Sequence, residues 1–495
     1  MPRSLLSVKD LAAEVIIVDT GSKDETVRIA REFGAKVYSF SWCDDFSAAR
    51  NYSLEQASGQ WILWLDADEV LAEDALQILS PLLHRPDLEG IRINMVNFLG
   101  NSAGGDKETY LFLKLFRNRP NYRFVRRIHE QLLGVPEEAI KNCPNVNCYH
   151  YGYLNLVKES KQKGQRNLTI LEQETTEKPD NFSWFNLGVE YLGEGRFHES
   201  ANCLEKSLVN LPPNLIWSPK VYKALATCYI QLSQFNQAAE VCRAGLELYP
   251  AYTDLCYLQA LALKEQSMLP QAVGLFHRCL AMPQTTSFMS EESYHGYRVW
   301  VALGQCYLAL GKFPQALQSY IEAFSLNPEN IGILAEMVGS LAKVIPLEQL
   351  ADSMEKALAA RGGDSALLVA RVLTKTGFYE QGLAYLDGFS PSNPELRNSL
   401  TYLKAICLAL LGRVADAAAL ITDLKGSQAR GLKQFTAWFE HNRLAFFTAD
   451  ECVETAVLFW LRGLQLLKEG TNQFGPEVFT EAAEAFNKGV AIFEK

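Results

Sequence analysis

The sequence has no apolar run long enough to cross a membrane, no excess of basic charge and no even complement of cysteines, and each absence removes a class of function. A spanning helix needs about 20 consecutive apolar residues, and the longest runs of this 495-residue chain fall well short of that. Its first residues, "MPRSLLSVKDLAAE", carry Lys9, Asp10 and Glu14 where a secretory leader would need an unbroken apolar stretch. The cytoplasm is therefore the expected compartment. With 57 acidic against 47 basic residues, a formal net charge of −10 and a pI near 5.4, no nucleic-acid partner is expected, because phosphates are repelled where no basic patch offsets the charge. Any anionic ligand then needs a local device such as a metal ion. The 11 cysteines are odd in number, and Cys203, Cys228, Cys242, Cys256, Cys279, Cys306 and Cys407 stand in helical, apolar surroundings. Reduced core thiols are expected rather than a disulfide framework.

What is present is apolar material, 48% of residues against 21% charged, enough for a large core and for about three domain-sized units or one domain plus an array. The chain changes character near residue 155. Before it, short apolar runs alternate with helical patterns, which predicts an α/β fold. "EVIIV" (14–18) reads as a buried strand, "DETVRIAREFG" as a helix ended by Gly34, "AKVYSF" as a strand, "FSAARNYSLEQASG" as a helix, "WILWL" as a strand and "AEDALQILSPLLH" as a helix. "GIRINMVNFLG" and "TYLFLKLFRN" predict two later strands, with "NSAGGDKE" a turn or disordered stretch between them.

Beyond residue 180 the pattern is helical and repetitive. Trp184, Leu187, Gly188, Tyr191 and Pro212 recur as Tyr222, Leu225, Ala226, Tyr229 and Pro250, and again as Trp300, Leu303, Gly304, Tyr307, Ala316, Tyr320, Ala323 and Pro328. The last set resembles the tetratricopeptide repeat (TPR) pattern: a large residue, a small one where two helices touch, an Ala at the closest contact and a Pro after the second helix. A weaker copy runs from Cys256 through Ala272 and Phe276 to Pro283, and vestigial ones appear at "TKTGFYEQGLAYL" and "LALLGRVADAAALI"; the insert "QTTSFMSEESYHG" is expected to be a loop. Such units bury their apolar faces by stacking into a solenoid. Most of its Trp, Tyr and Cys residues are core, and the concave face is a candidate groove for a peptide. The expected organisation is an α/β domain over 1–155, a helical linker over 156–180, TPR repeats over 181–330 and degenerate TPR-like repeats with C-terminal helices over 331–495.

The segment "WILWLDADEVL" runs from an apolar strand straight into Asp66, Asp68 and Glu69. Carboxylates at the C-terminal end of such a strand sit at the lip of a parallel sheet, where ligands of α/β folds bind. Two chemistries use an Asp-x-Asp there. Phosphotransferases of the haloacid dehalogenase type carry Asp-x-Asp-x-Thr/Val, which "DADEV" fits, but a second acidic pair is missing and "VDTGS" is left unexplained. In nucleotide-sugar transfer the acids hold a divalent ion, Mn²⁺ or Mg²⁺, that suits hard carboxylate oxygens and stabilises the leaving nucleoside diphosphate.

The surroundings favour the second chemistry. "IIVDTGSKDET" resembles the first motif of family 2 glycosyltransferases, and "DDFSAARN" followed by "GQWILWLDADE" resembles the later run in which an Ala-Arg-Asn helix precedes the metal-binding strand. With "LKLFRNRPNYRFVRRIHEQL" and "YHYGYL", the order is similar to the TPR-bearing branch of that family, which includes bacterial peptide and protein glycosyltransferases, over about residues 5 to 335. The resemblance implies an N-terminal GT-A-like fold with a Rossmann-like central sheet followed by an all-α TPR-like solenoid. It implies an inverting transferase that moves a hexosyl group from a nucleotide-diphospho-sugar, expected to be a UDP-sugar, to a peptide or protein acceptor held near the repeats. A cell-surface glycan precursor is the alternative acceptor, and a non-catalytic TPR scaffold with a degenerate transferase domain is the alternative class. By the same resemblance Asp19 accepts hydrogen bonds from the nucleotide base, Ser22 and Asp24 shape the turn, Arg50 sits near the diphosphate, Asp66 contacts the ribose or a metal-bound water, and Asp68 ligates the metal. Against these stand an ordinary strand-end Asp19, a helix-capping Asp24 and an Arg50 on a solvated helix face.

A glycosyl acceptor must lose a proton, so a base is needed opposite the leaving group. Glu130 in "RIHEQ" and Glu69 are the candidates, Glu130 first. His129 and His150 are candidates to complete the metal shell, with a loop hydrogen bond and a domain-boundary position as their plain alternatives. "CPNVNCYH" offers Cys143, Cys148 and His150 to zinc, without the matching second pair such a site needs. One departure from the family pattern concerns the start. Members begin with a further strand before the segment corresponding to "EVIIV", and its absence predicts an exposed sheet edge that pairs into a dimer or aggregates, and an upstream in-frame extension that restores donor binding.

Overall fold

The computed structural model describes residues 1–98, 107–152, 163–283, 290–359, 365–388 and 394–421. The "NSAGGDKE" turn lies almost wholly outside them. Helix α1 (Pro2–Val8) precedes β1 (Ile16–Asp19), α2 (Thr26–Glu32) and β2 (Lys36–Ser39), and β1 and β2 pair in parallel with Ile16 facing Lys36 and Asp19 facing Ser39. Helix α3 (Phe46–Gln56) starts where the Asp45 carboxylate accepts the Ala48 N–H at 2.9 Å, satisfying an otherwise orphaned donor of the first turn. Ser47, Arg50 and Leu54 are spaced three and four apart and share one face, so the helix that buries Ser47 and Leu54 holds Arg50 against the rest of the domain.

There follow β3 (Trp61–Leu63), β4 (Glu69–Leu71), α4 (Ala75–Leu83), β5 (Gly90–Phe98), β6 (Lys107–Arg117), β7 (Arg123–Val125), β8 (Gln131–Leu133) and β9 (Ile140–His150). The mixed six-stranded sheet runs β10 (Ser290–Glu291), β6, β5, β9, β4, with β3 also on β6. β5 is parallel to β9 and antiparallel to β6. The described ladder of β3 is antiparallel, Trp61 opposite Arg117 and Leu63 opposite Leu115, rather than the parallel one the sequence suggested. The physical reason is the length of β6, which pairs along its whole course with β5 and leaves its other edge to β3. Ile91, Ile93, Met95, Leu115, Cys143, Val146 and Cys148 form the core with Leu71 and with Leu79 of α4, each fully buried aliphatic contributing about 1.5–3 kcal/mol. Cys143 and Cys148 thus belong to the core, and burial pushes the Cys148 thiol up to about 12. Among the described residues no group of three His, Cys, Asp or Glu is disposed to hold a metal.

The helical region opens with α5 (Lys163–Glu177), α6 (Asn181–Gly193), α7 (Phe197–Leu208), α8 (Ser218–Gln231), α9 (Phe235–Leu248), α10 (Thr253–Glu265) and α11 (Leu269–Ala281). The repeat logic is visible at Gly188, where a Cβ would lie 2.8 Å from Leu204 Cγ, so α6 and α7 approach closely only because that residue has no side chain. Ala226, Ala238 and Ala272 fill the corresponding tight positions and are fully buried. The insert expected to be a loop does more: after its undescribed first part it forms β10 (Ser290–Glu291), which pairs antiparallel with β6, Ser290 opposite Thr109 and Glu291 opposite Glu108. A 3₁₀ turn (Glu292–His295) and α12 (Tyr297–Ala309) follow. The α/β region and these helices make one compact unit, Met1–Leu310, and the chain from Gly311 on makes a second. The second unit contains α13 (Phe313–Leu326), α14 (Gly332–Leu341), α15 (Leu347–Ala359), α16 (Ser365–Lys375), α17 (Tyr379–Asp387), α18 (Pro394–Leu410) and α19 (Val414–Ile421). It has an open groove of about 600 Å³ lined by Phe313, Leu317, Ile321, Val344, Ile345 and Lys356. No described helix is long and apolar enough to cross a membrane.

Candidate functional site

The acids that follow β3 are met by the end of β9. His150 is the last residue of β9 and lies opposite Glu69 in the β4–β9 ladder, which brings its ring to the Asp66–Glu69 segment. His150 Nδ1 lies 3.1 Å from Asn97 Oδ1, and Nε2 lies 3.5 Å from Asp68 Oδ1. Asn97 is buried at the end of β5. An amide oxygen that accepts from Nδ1–H fixes the ring and turns the Nε2 lone pair toward the carboxylate, the arrangement in which a histidine ligates a cation. Gly152 completes the cradle. A Cβ there would stand 2.6 Å from both Asp68 Oδ2 and His150 Nε2. Gly152→Ala is therefore expected to weaken metal-dependent ligand binding at least tenfold while shifting the unfolding midpoint little, because what it crowds is the pair and not the core. Titration of Mn²⁺ into the two proteins, followed calorimetrically, checks this, and equal affinities would remove Gly152 from the site.

A few ångströms along, Arg50 joins two more of the acids. Its Nε donates to Glu130 Oε1 at 2.8 Å and its NH2 to Asp66 Oδ1 at 2.9 Å, while the guanidinium carbon stands 4.3 Å from the centre of the Trp64 ring. The planar fork suits two carboxylates at once. Burial works to raise the Asp66 pKa, but the charges of Arg50 and Lys114 beside it prevail and hold it below the ordinary value. Asp66 nevertheless keeps 44% of its side chain open, so it lines a cleft rather than a core. Glu130 is delivered by the turn after β7, where Arg126 and His129 both have left-handed φ values of 84° and 53°. Such residues cost about 1–3 kcal/mol each unless the surroundings hold them. Here Ser47 Oγ donates to Arg126 O and Phe46 N to Arg127 O, the Arg126 guanidinium is held by Glu174 and Asp180, and Ile128 is buried among Leu168, Leu171 and Leu187. The helical region therefore fixes the position of Glu130. The charges that act on His129 are those of Glu130 and Lys220. Crowding, reinforced by Lys220 and opposed by Glu130, lowers its pKa.

Glu69 is turned inward. It is 3% exposed, its two oxygens accept from Lys114 Nζ at 2.8 and 2.6 Å, and Oε2 also accepts the Asp66 N–H at 2.9 Å. Lys114 is 1% exposed, with its ammonium 3.7 Å from the Trp64 ring centre. The pair holds the backbone at Asp66, with both carboxylate oxygens turned to the ammonium of Lys114. At the end of β1, Asp19 Oδ1 accepts the Ser22 N–H at 3.0 Å, and hydrogen bonds from Ser22, outweighing the burial that opposes them, lower its pKa. Asp24 accepts the Thr26 N–H at 3.0 Å and starts α2. Asn97, Lys114 and Gly152 were not among the candidates. Lys114 carried the plainest signal, a lone charge at a position of an apolar strand that alternation turns inward.

Residues 1–129 match the family model for glycosyl transferase family 2, and residues 183–208 and 297–330 match tetratricopeptide repeat models. A TPR repeat-containing protein of Synechococcus elongatus is 36% identical over 217 residues, which is 42% of this chain and 53% of that protein. The SPbeta prophage-derived glycosyltransferase SunS of Bacillus subtilis is 27% identical over 215 residues, 42% of this chain and 50% of SunS. The chain thus spans about half the length of these curated relatives. Among solved structures, a thermophilic TPR protein of Thermus thermophilus is 19% identical with a TM-score of 0.30, over 36% of this chain and 91% of that one.

Proposed function

We propose that this chain, which carries a glycosyltransferase family 2 domain ahead of tetratricopeptide repeats, moves a sugar from a nucleotide-diphospho-sugar to a peptide or protein acceptor with inversion at the anomeric carbon. The observation that carries the reading is the convergence of Asp68, His150 and Gly152 beside the Asp66–Arg50–Glu130 bridge. The donor set, one carboxylate and one imidazole with its far nitrogen engaged, fits Mn²⁺ or Mg²⁺, and the missing Cβ of Gly152 leaves room for the ion. When bound, such an ion neutralises the donor's diphosphate and eases its departure. Asp66 and Asp19 are open enough to bind the nucleoside, with UDP the expected one. Arg50 orients Asp66 and Glu130 from a single guanidinium. Glu130, on the far side of Arg50 from Asp66, takes the proton of the acceptor. The repeats favour a macromolecular acceptor over a free sugar.

The reading is tested by a donor screen with Mn²⁺, scoring nucleotide binding by thermal shift and nucleotide release by turnover. Metal-dependent release from one nucleotide-sugar is the expected result, and no binding of any nucleotide-sugar defeats it. Within an active system Glu130→Gln should slow transfer by about 10²–10⁴-fold, the range for loss of a general base. Donor affinity should stay nearly unchanged. Loss of donor binding instead would make Glu130 a structural partner of Arg50.

A further inference from the structure

Lys220 stands in the first turn of α8, yet it belongs in space to the α/β domain. Its ammonium lies 5.0 Å from the centre of the Tyr110 ring on β6. Alternation along β6 puts Glu108, Tyr110 and Phe112 on one face, the two rings 5.7 Å apart, and a bulge follows at Lys114, whose ammonium lies 5.6 Å from the Phe112 ring. Phe112 meets the edge of Trp64 with centroids 5.6 Å apart, and Trp64 stacks on Arg50. This face is thus a continuous floor from the Arg50 bridge to α8. Lys220 is also close enough to His129 for its charge to act on that ring, and His129 adjoins Glu130. The neighbouring Lys223 is committed: its Nζ is 2.7 Å from the fully buried Asp254 and 3.3 Å from Glu108. The Lys220 backbone N–H donates to Trp217 O at 3.0 Å, but its ammonium makes no hydrogen bond or ion pair with any described residue.

Nothing local explains the placement. A cation in the first turn of a helix is opposed by the macrodipole, and the first turn of α8 has no acid to balance it. Crowding by the protein, opposed by Glu108 and reinforced by Lys223, brings the Lys220 pKa down to about 8. An ammonium held at such a cost over an aromatic floor is suited to an anionic ligand. His150 lies opposite Asn97, and Asn97 opposite Glu108, so two strand spacings, about 10 Å, separate the Asp68–His150 pair from the Lys220 end of β6, and a donor phosphate is the competing anion there.

We propose that Lys220 anchors an acceptor subsite, its ammonium binding a carboxylate of an acidic peptide segment so that the accepting residue is presented to Glu130 over the Tyr110–Phe112 floor. This rests on the reading of the chain as a peptide-directed transferase. The repeat region then selects the acceptor at the reacting end of the cleft as well as along its own helices, and Lys220 is a specificity-determining residue.

The test uses the full chain and the donor found by the Mn²⁺ screen. Synthetic peptides containing Ser, Thr and Cys are compared in pairs, one with Asp or Glu flanking the accepting residue and the other with Asn or Gln. The unmodified protein should favour the acidic member about tenfold in kcat/KM, mostly through KM, the size of one charge-assisted hydrogen bond. Lys220→Arg should keep the preference, Lys220→Met should bring the ratio close to one, and Lys220→Glu should turn it toward peptides flanked by Lys. Equal use of both peptides by the unmodified protein, or an unchanged ratio in Lys220→Met, overturns the proposal. So does a Lys220→Met protein whose calorimetric affinity for UDP with Mn²⁺ falls while its peptide ratio holds, which would make Lys220 a donor phosphate contact. Absence of any donor turnover by the unmodified chain defeats the transferase reading itself and is seen before any peptide is added.

Discussion

Replacing Asp68 with asparagine is expected to cut metal-dependent turnover by about a thousandfold. A divalent ion contributes several kcal/mol of charge stabilisation as a diphosphate departs, and each 1.4 kcal/mol is a factor of ten. Asparagine keeps the shape and one oxygen but removes the negative charge that attracts the ion. Folding should hardly notice: Asp68 has 36% of its side chain exposed and stands outside the core, so the unfolding free energy should move by no more than about 0.5 kcal/mol. His150→Ala should behave differently, losing affinity for Mn²⁺ yet recovering part of the rate when the ion is in excess, because the carboxylate that supplies the charge remains. Steady-state rates across a Mn²⁺ series, with thermal unfolding as the control, separate the two. Full turnover by Asp68→Asn would take Asp68 out of the site.

The second large effect belongs to stability. In Lys114→Met the Glu69 carboxylate, 3% exposed, loses the ammonium that holds both of its oxygens. Stranding one member of a buried pair costs about 3–5 kcal/mol, which in a unit of this size lowers the melting temperature by roughly 5–8 °C. The double variant Lys114→Met with Glu69→Leu should regain most of that, since two apolar side chains of similar volume remove both desolvation costs together. A single variant as stable as the parent would show that the pair is dispensable. Retention of catalysis by a well-folded double variant would show in addition that Glu69 takes no part in the chemistry.

The contrast between these two predictions shows what the sequence made legible. Asp68 stood out because an apolar strand running into three acids has few uses, and the alternation of strands and helices before residue 155 was readable from periodicity alone. The company each acid keeps was not. Nothing near Glu69 in the chain reveals Lys114, 45 residues away on another strand, and nothing near Arg50 reveals that it bridges Asp66 to Glu130. Such pairings are set by strand register, which periodicity constrains only to one face or the other. The repeats were legible for the same reason as the strands, whereas β10 was not, because two residues in a polar insert carry no alternation to read. Lys220 was hidden differently: most of its surroundings are supplied by β6 and the turn at His129, both far from it in the chain.

The pairing of β10 with β6 has a consequence for how such a protein is recombined. An exchange of repeat arrays between relatives would naturally be cut at 156–180, where the sequence changes from α/β to helical. That cut would strip β6 of its partner at Thr109 and Glu108, separate Arg126 from Asp180, and take Ile128 away from Leu187. A hybrid joined there should inherit a disordered acceptor end even if every residue of its transferase portion were native. The heritable module is the whole of Met1–Leu310, so chimeras spliced after Leu310 are the ones that should keep both their chemistry and the acceptor preference set at Lys220.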